Sequence, residues 1–177
     1  MSMQKWLQMI VYRLRQVYQQ LGFVAPLSAD DHAEVARWLP ASAIALFQEM
    51  SVADQQHSLR VCRGLQARGC EERDLLAAAL LHDVGKGQRR VPFWTRPVVV
   101  MGKLCAPSLL SHLAIYPREG MTGPGWRGAL GCAWYHAEVG AKLAAAAGLS
   151  EQAVLYIRTH HQSNGPAAEL HLVDEDS

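Results

Sequence analysis

The sequence predicts an all-α protein, and three observations lead to this class. Apolar residues recur at intervals of three and four over most of the chain, which is the spacing of one face of a helix. Residues that start helices, such as serine, and residues that end them, such as glycine and proline, lie between these runs. The only β-branched run is residues 98–100, and it is too short to define a sheet.

The composition indicates a packed globular protein with one main domain. The chain has 177 residues, of which 50% are hydrophobic, enough for a sizeable core. Its formal net charge of +1 gives no global argument for a nucleic-acid partner, so none is expected. The four cysteines include no CxxC pair, which argues against a cysteine zinc site and favours buried thiols in a reducing compartment.

Neither a secretory signal peptide nor a transmembrane segment is expected. The opening residues, MSMQKWLQMI, contain no long apolar core before a small-residue cleavage site. The most apolar stretch, residues 91–116, is interrupted by Arg96, Pro97, Lys103 and Pro107, whereas a membrane span needs about 20 apolar residues. We therefore expect a cytoplasmic protein.

Residues 1–40 are predicted to form an N-terminal helical extension that packs on the main domain. Apolar residues spaced from Trp6 to Leu21 define one amphipathic helix. Ser28 and the acids behind it predict the start of a short second helix, which Pro40 ends.

Residues 41–177 are predicted to form the main helical domain, with an irregular insertion over residues 88–131. The insertion is rich in proline and glycine, contains two short helices around residues 98–104 and 108–115, and could cap a pocket. Outside it, five helices and a final turn or two are expected. They extend from about Ser42 to Met50, Asp54 to Gln66, Glu71 to Asp83, Ala133 to Ala147, Ser150 to His161, and Ala167 to Val173.

Histidines recur on four separate predicted helices, which makes them candidate metal ligands. Ligands from facing helices can meet in the core of a helical bundle. Imidazole and carboxylate groups without thiolates suit transition-metal ions better than calcium. The histidines concerned are His57, His82, His136, His160 and His161.

His82 and Asp83 stand side by side at the end of the apolar run DLLAAALL. Consecutive helical residues point about 100° apart, so these two side chains cannot project in parallel. They can serve one site that lies between their directions, or Asp83 can bridge two ions. Ionised groups are rarely buried without a partner, so metal binding would explain their placement.

The order of these residues resembles the HD superfamily of metal-dependent phosphohydrolases. The shared features are His57, the string LLHDVGKG, His136 in HAEVGAKLAAAAGLS, the histidine pair in IRTHH, and an aspartate in LHLVDEDS. The resemblance covers about residues 41–177. It implies an HD-domain helical bundle that holds two divalent transition-metal ions, with iron or manganese preferred and zinc or nickel as alternatives.

The resemblance also implies two ligand sets that share one carboxylate, that of Asp83. The first set is His57, His82, Asp83 and Asp174, with Asp176 as the alternative to Asp174. The second set is Asp83, His136, His160 and His161.

Two features of the family's cyclic-di-GMP phosphodiesterases are missing from this sequence. Their Gly-Tyr-Pro signature is absent, because QSNGPAAE follows His161, and this argues against that substrate. The glutamate that those enzymes carry one turn before the first histidine is replaced by Ala53, with Asp54 adjacent. This difference argues against a third metal ion.

Two ions bridged by a carboxylate, about 3.5–4 Å apart, suit hydrolysis of phosphate esters by a metal-activated hydroxide. Asp83 and Lys86 are the expected catalytic residues. Lys86, Arg89 and Arg90 could bind the phosphate groups of the substrate as cations. Alternative interpretations without a role in substrate binding stay open. Lys86 could complement the partial negative charge of a helix C-terminus, and the two arginines could be solvated surface residues.

We therefore expect a metal-dependent phosphohydrolase or phosphodiesterase that acts on a small phosphorylated substrate, with a nucleotide as the first choice. The alternative is a metal- or nucleotide-binding signalling module of the same fold without turnover. A third hypothesis, in which the histidines only stabilise a helical bundle, is disfavoured by the full ligand set. The sequence leaves the oligomeric state open.

Overall fold

The computed structural model describes residues 25–86, 113–114, 116 and 126–177. Within these ranges the chain is all-α, as predicted, with seven α-helices, one short 3-10 helix and no strand. The α-helices are α1 Ala29–Trp38, α2 Ala41–Glu49, α3 Val52–Ala67, α4 Arg73–Leu81, α5 Trp126–Ala146, α6 Glu151–Thr159 and α7 Ala168–Asp176. The 3-10 helix, Val84–Lys86, follows α4. The predicted N-terminal amphipathic helix and most of the insertion lie outside the described residues.

Serine side chains cap the N-termini of three of these helices. Ser28, Ser51 and Ser150 each accept a hydrogen bond from the backbone N–H three residues later, which satisfies a free donor of the first turn. At Ser28 the carboxylate of Asp31 also accepts a hydrogen bond from the Ser28 N–H, completing a capping box. The predicted helix starts at Ser28 and Ser150 are confirmed.

Two glycines stop helices by taking a left-handed backbone conformation. Gly69 follows α3 with a φ of 87°, and Gly148 follows α5 with a φ of 81°. Glycine accepts these angles without the steric penalty of a Cβ, which makes it a frequent helix stop. Both predicted helix ends are confirmed.

α4 is the centre of the core. Every residue from Leu75 to Leu81 is buried, as expected for a helix that is apolar on all sides. α1, α2, α3 and α6 pack around it. Val35 and Leu39, which the sequence placed in the N-terminal extension, belong to the same core cluster as α4.

Several helix boundaries differ from those predicted, and α6 for example ends at Thr159 rather than at His161. α4 ends at Leu81, so His82 and Asp83 form the turn into the 3-10 helix rather than the last helical residues. α5 begins at Trp126, before the expected start near Ala133, and α7 continues to Asp176. The early start of α5 includes glycines that predicted irregular backbone. Helix propensity is a weak bias that tertiary packing overrides, and Gly131 is buried.

None of the helices in the described ranges is long and apolar enough to cross a lipid bilayer. Among the described cysteines, Cys62 and Cys132 are buried and Cys70 is partly exposed. Burial raises the pKa of Cys62 to about 12, so this thiol stays protonated at neutral pH and is a weak nucleophile.

Candidate metal centre

Five helices bring the candidate ligands to one place beside the C-terminal end of α4. α3 carries His57, and the turn after α4 carries His82 and Asp83. α5, α6 and α7 supply the others. The side chains that meet are His57, His82, Asp83, His136, His160, His161 and Asp174. Within each of two groups, His57–His82–Asp83 and His136–His160–His161, the ligand atoms lie within 4.8 Å of one another.

Asp174 joins the first group. Its Oδ1 lies 2.8 Å from Nε2 of His57 and 3.4 Å from Nε2 of His82. Asp176, the alternative that the sequence left open, is exposed one half-turn further along α7. The structure therefore brings Asp174, and not Asp176, to the histidines.

The second group is built from α5 and the end of α6. Nε2 of His136 lies 2.9 Å from Nε2 of His161, and the ring centroids of His160 and His161 are 3.9 Å apart. Imidazole nitrogens bind zinc at about 2.0–2.1 Å, so two such ligands at adjacent positions of one ion lie about 3–3.4 Å apart. The separation of His136 and His161 is close to that value.

Asp83 lies between the histidines of the first group and those of the second. Its Oδ2 is 3.6 Å from Nε2 of His82, and its Oδ1 is 3.6 Å from Nε2 of His136. Only 4% of this residue is exposed to solvent. One carboxylate oxygen thus faces each histidine group, which is the arrangement of a carboxylate that can bridge two cations.

The three most buried histidines are oriented by backbone carbonyls. Nδ1 of His82, His136 and His160 lies 2.7–2.9 Å from the carbonyl oxygen three residues earlier. A carbonyl can only accept, so each Nδ1 carries the proton and donates it. Each Nε2 is thereby directed towards the centre, and metal-binding histidines are commonly oriented in this way through their second nitrogen.

Buried polar atoms at the centre fit a metal ion. Nε2 of His82 and Nε2 of His160 have no hydrogen-bond partner among the described residues, although both side chains are fully buried. Buried polar atoms are rarely left unpaired, because desolvation then goes uncompensated. A donor set of imidazoles and carboxylates without sulfur suits divalent transition metals. The side chains at the centre therefore fit the divalent transition-metal ions that the sequence predicts.

Burial and charge divide the histidines into two kinds. Burial lowers the pKa of His82, but the carboxylates of Asp83 and Asp174 outweigh it and raise that pKa to about 9. Burial, together with the charge of Lys86, lowers the pKa of His136 to about 3. Burial and the neighbouring imidazoles also hold the pKa of His160 well below its usual range. His136 and His160 are thus neutral at pH 7 and ready to bind a cation.

The two carboxylates of the centre stay ionised. Burial raises the pKa of Asp83, but Lys86 and the surrounding histidines hold it well below its usual range. Burial acts in the same direction on Asp174, and there the hydrogen bond with His57 and the nearby charge of His82 keep the pKa below its usual range. Both groups therefore carry negative charge towards the centre at neutral pH.

Lys86 lies against Asp83. Its Nζ is 2.5 Å from each of the two carboxylate oxygens. The sequence had offered a phosphate contact or a helix C-terminus as its partner and did not predict this ion pair. Arg89 and Arg90, the other candidate substrate contacts, lie outside the described residues.

Sequence reasoning also missed the carbonyl oxygens of Ala79, Ala133 and Ile157 that orient the histidines. No sequence signal could have identified them, since every residue carries a carbonyl. For Ala79 and Ile157, a histidine at the C-terminal end of a predicted helix was the nearest available hint, because the last carbonyls of a helix lack partners within it. Ala133 lies inside α5, where no such hint exists.

The chain was compared with models of protein families, with curated proteins and with solved structures, and none of them matches. What is established about the molecule is therefore an all-helical fold with buried histidine and aspartate groups that could hold metal ions.

Proposed function

We propose that this chain is a metal-dependent phosphohydrolase of the HD type, which hydrolyses a nucleotide or another small phosphoester or phosphoanhydride. The proposal combines the order of the ligands along the sequence with their geometry in the fold. It assigns two divalent transition-metal ions to the two histidine groups, with iron or manganese as the first choice.

The position of Asp83 carries the proposal. A structural role for the histidines would not require a buried carboxylate with one oxygen towards each of two histidine groups. The 3.6 Å distances to His82 and His136 support a role of Asp83 as a shared ligand. Carboxylate-bridged pairs of ions about 3.5–4 Å apart are a recurrent device for phosphoester hydrolysis.

When bound, such ions lower the pKa of a water molecule to near neutrality and neutralise charge on the phosphoryl group. The protein's own residues hold the arrangement in place. Asp83 and Asp174 supply the negative charge, and the backbone carbonyls fix the imidazole rings. Lys86, whose side chain is 23% exposed, is placed to contact an oxygen of a phosphate group at the edge of the centre.

Elemental metal analysis tests the metal centre. Protein purified without chelator or histidine tag should contain about two transition-metal ions per chain. The isosteric variant Asp83→Asn should lose both ions, because the shared ligand is removed. Asp176→Asn, an exposed aspartate on the helix that carries Asp174, is the matched control and should retain both. Equal metal content in wild type and Asp83→Asn would contradict the assignment.

A turnover assay tests the reaction. The metal-loaded chain is given nucleoside monophosphates, dinucleoside polyphosphates, cyclic nucleotides and a simple phosphomonoester, and phosphate or nucleotide release is followed. Activity that is lost on chelation, restored by the same metal and absent in Asp83→Asn supports the proposal. Nucleotide binding without hydrolysis by the fully loaded chain would favour the signalling module instead.

A further inference from the structure

We infer that Gly85 and Gly64 are positioning residues of the proposed metal centre. Gly85 sets the distance between Asp83 and the His136 group, and Gly64 sets the distance between Asp174 and His57. Neither is a ligand. Both allow two helical segments to approach more closely than a Cβ would permit. The inference rests on the proposed metal centre for its functional meaning, and on backbone packing for its structural content.

Gly85 brings the 3-10 helix against α5 at the level of His136. A Cβ on Gly85 would overlap the carbonyl oxygen of His136, and it would lie 2.8 Å from both the carbonyl carbon of His136 and the backbone nitrogen of Gly140. These are backbone atoms of a helix, so they cannot move aside as a side chain could. The close approach places Asp83, two residues earlier, within 3.6 Å of Nε2 of His136.

Gly64 likewise allows a close approach of two helices, here beside the first group. It lies on α3 two turns after His57, and it faces α7. A Cβ on Gly64 would lie 2.6 Å from Cγ1 of Val173, the residue that precedes Asp174. Valine is stiff about its first torsion and is buried here, so the two helices would have to separate. Their close approach lets Asp174 reach within 2.8 Å of His57.

The two contacts belong to different pairs of segments, so their effects should be separable. A methyl group at Gly85 separates the His136 group from Asp83. A methyl group at Gly64 withdraws Asp174 from His57. The second contact can also be repaired, because Val173→Ala removes the atom that a Cβ at Gly64 would meet.

The experiment measures metal content and the affinity of each ion in Gly85→Ala, Gly64→Ala, Val173→Ala and the double variant Gly64→Ala with Val173→Ala. Gly148→Ala and Gly69→Ala are the matched controls, because their positive φ angles make substitution strained while a Cβ at either would have nothing within 4 Å. They report the effect of lower stability without crowding at the centre.

Gly85→Ala should weaken the ion at the His136 group by about 10–100-fold, as loss of outer-shell support does elsewhere, and leave about one ion per chain. Gly64→Ala should weaken the ion at the His57 group, and adding Val173→Ala should restore it. The controls should keep both ions. Equal losses in Gly85→Ala and Gly148→Ala, or no recovery in the double variant, would overturn the inference.

A second readout does not depend on metal. Ring-nitrogen NMR of chelator-treated protein should show the His136 signals altered in Gly85→Ala and the His57 signals altered in Gly64→Ala, each with the other group unchanged. If Gly85→Ala fails to fold, Gly140→Ala crowds the same contact more mildly, because its Cβ would lie 3.3 Å from the backbone nitrogen of Gly85. Wild-type protein that binds no ion would refute the proposed function, whereas unaltered NMR signals would refute the positioning roles.

Discussion

Lys86 illustrates how one residue can stabilise the fold and oppose metal binding at once. Its ammonium contacts both oxygens of Asp83, a carboxylate that is almost fully buried. Removing one partner of a buried ion pair is costly because the other charge is left uncompensated. The same ammonium repels any further cation that approaches Asp83.

Lys86→Gln should therefore change stability and metal affinity in opposite directions. With chelator present, we expect the free energy of unfolding to fall by about 3 kcal/mol, at the lower end for buried pairs because the lysine is partly exposed. Metal affinity should rise. Urea unfolding and titration against a competing chelator measure the two quantities. Lys142→Gln, which removes a lysine whose side chain is 60% exposed, is the control. A fall in metal affinity would contradict the expectation.

His82 should make metal binding release protons. The carboxylates around it raise its pKa to about 9, so its ring is charged at pH 7, whereas a metal ligand must be neutral. Metal affinity should therefore decrease as the pH falls below 9, by about tenfold per pH unit for this group. Calorimetry in buffers of different ionisation enthalpy should detect at least one proton released per chain at pH 7. Release of less than one proton would contradict this account.

At the scale of elements, α4 and α6 end in the same way. Each has a histidine at its C-cap, His82 and His160, whose Nδ1–H donates to the carbonyl three residues earlier. The last carbonyls of a helix have no partner within it, so the imidazole satisfies one of them and is held in place. The partial negative charge of a helix C-terminus also favours a nearby cation. In the proposed metal centre, these two helix ends would supply both histidine ligands and a favourable electrostatic field for a cation.

Element types were predictable where the signals are local. The serine caps at Ser28 and Ser150, the glycine stops and the apolar run of α4 depend on residues within a few positions of each other, and these predictions hold. The start of α5 at Trp126 was missed because Gly128 and Gly131 have poor helix propensity, a weak bias that tertiary context overrides, and Gly131 is buried. The end of α4 was placed two residues late because an apolar run does not mark where the helix gives way to a 3-10 turn.

At the scale of the whole molecule, the proposed metal centre brings together helices that are far apart along the described chain. α3 and α7 meet through His57 and Asp174, and α4 and α5 meet through Asp83 and His136. An ion that binds only the folded chain stabilises it by mass action, by about 2.7 kcal/mol when the free ion is at 100 times its dissociation constant.

Removing the metal should therefore lower the thermal stability of the whole fold. We expect the melting temperature of wild type to fall in chelator, to recover on re-addition of the metal, and to rise further with metal concentration. Asp83→Asn should show no such dependence, and Asp176→Asn should behave as wild type. Scanning calorimetry measures these changes. A melting temperature of wild type that is independent of metal would contradict this expectation.

The sequence by itself determined the helical class, the main helix starts and stops, and the residue types available to a metal centre, because these depend on spacing and chemistry along the chain. Only the tertiary structure decided that Asp174 faces the histidines while Asp176 faces solvent, that Asp83 lies between two groups, and that Lys86 contacts it. It also decided that Gly85 and Gly64 are contact points. Apart from the contact of Lys86 with Asp83, which spans three residues, these facts arise from packing between residues far apart in sequence. Separations of a few tenths of an ångström matter there, and local patterns carry no information.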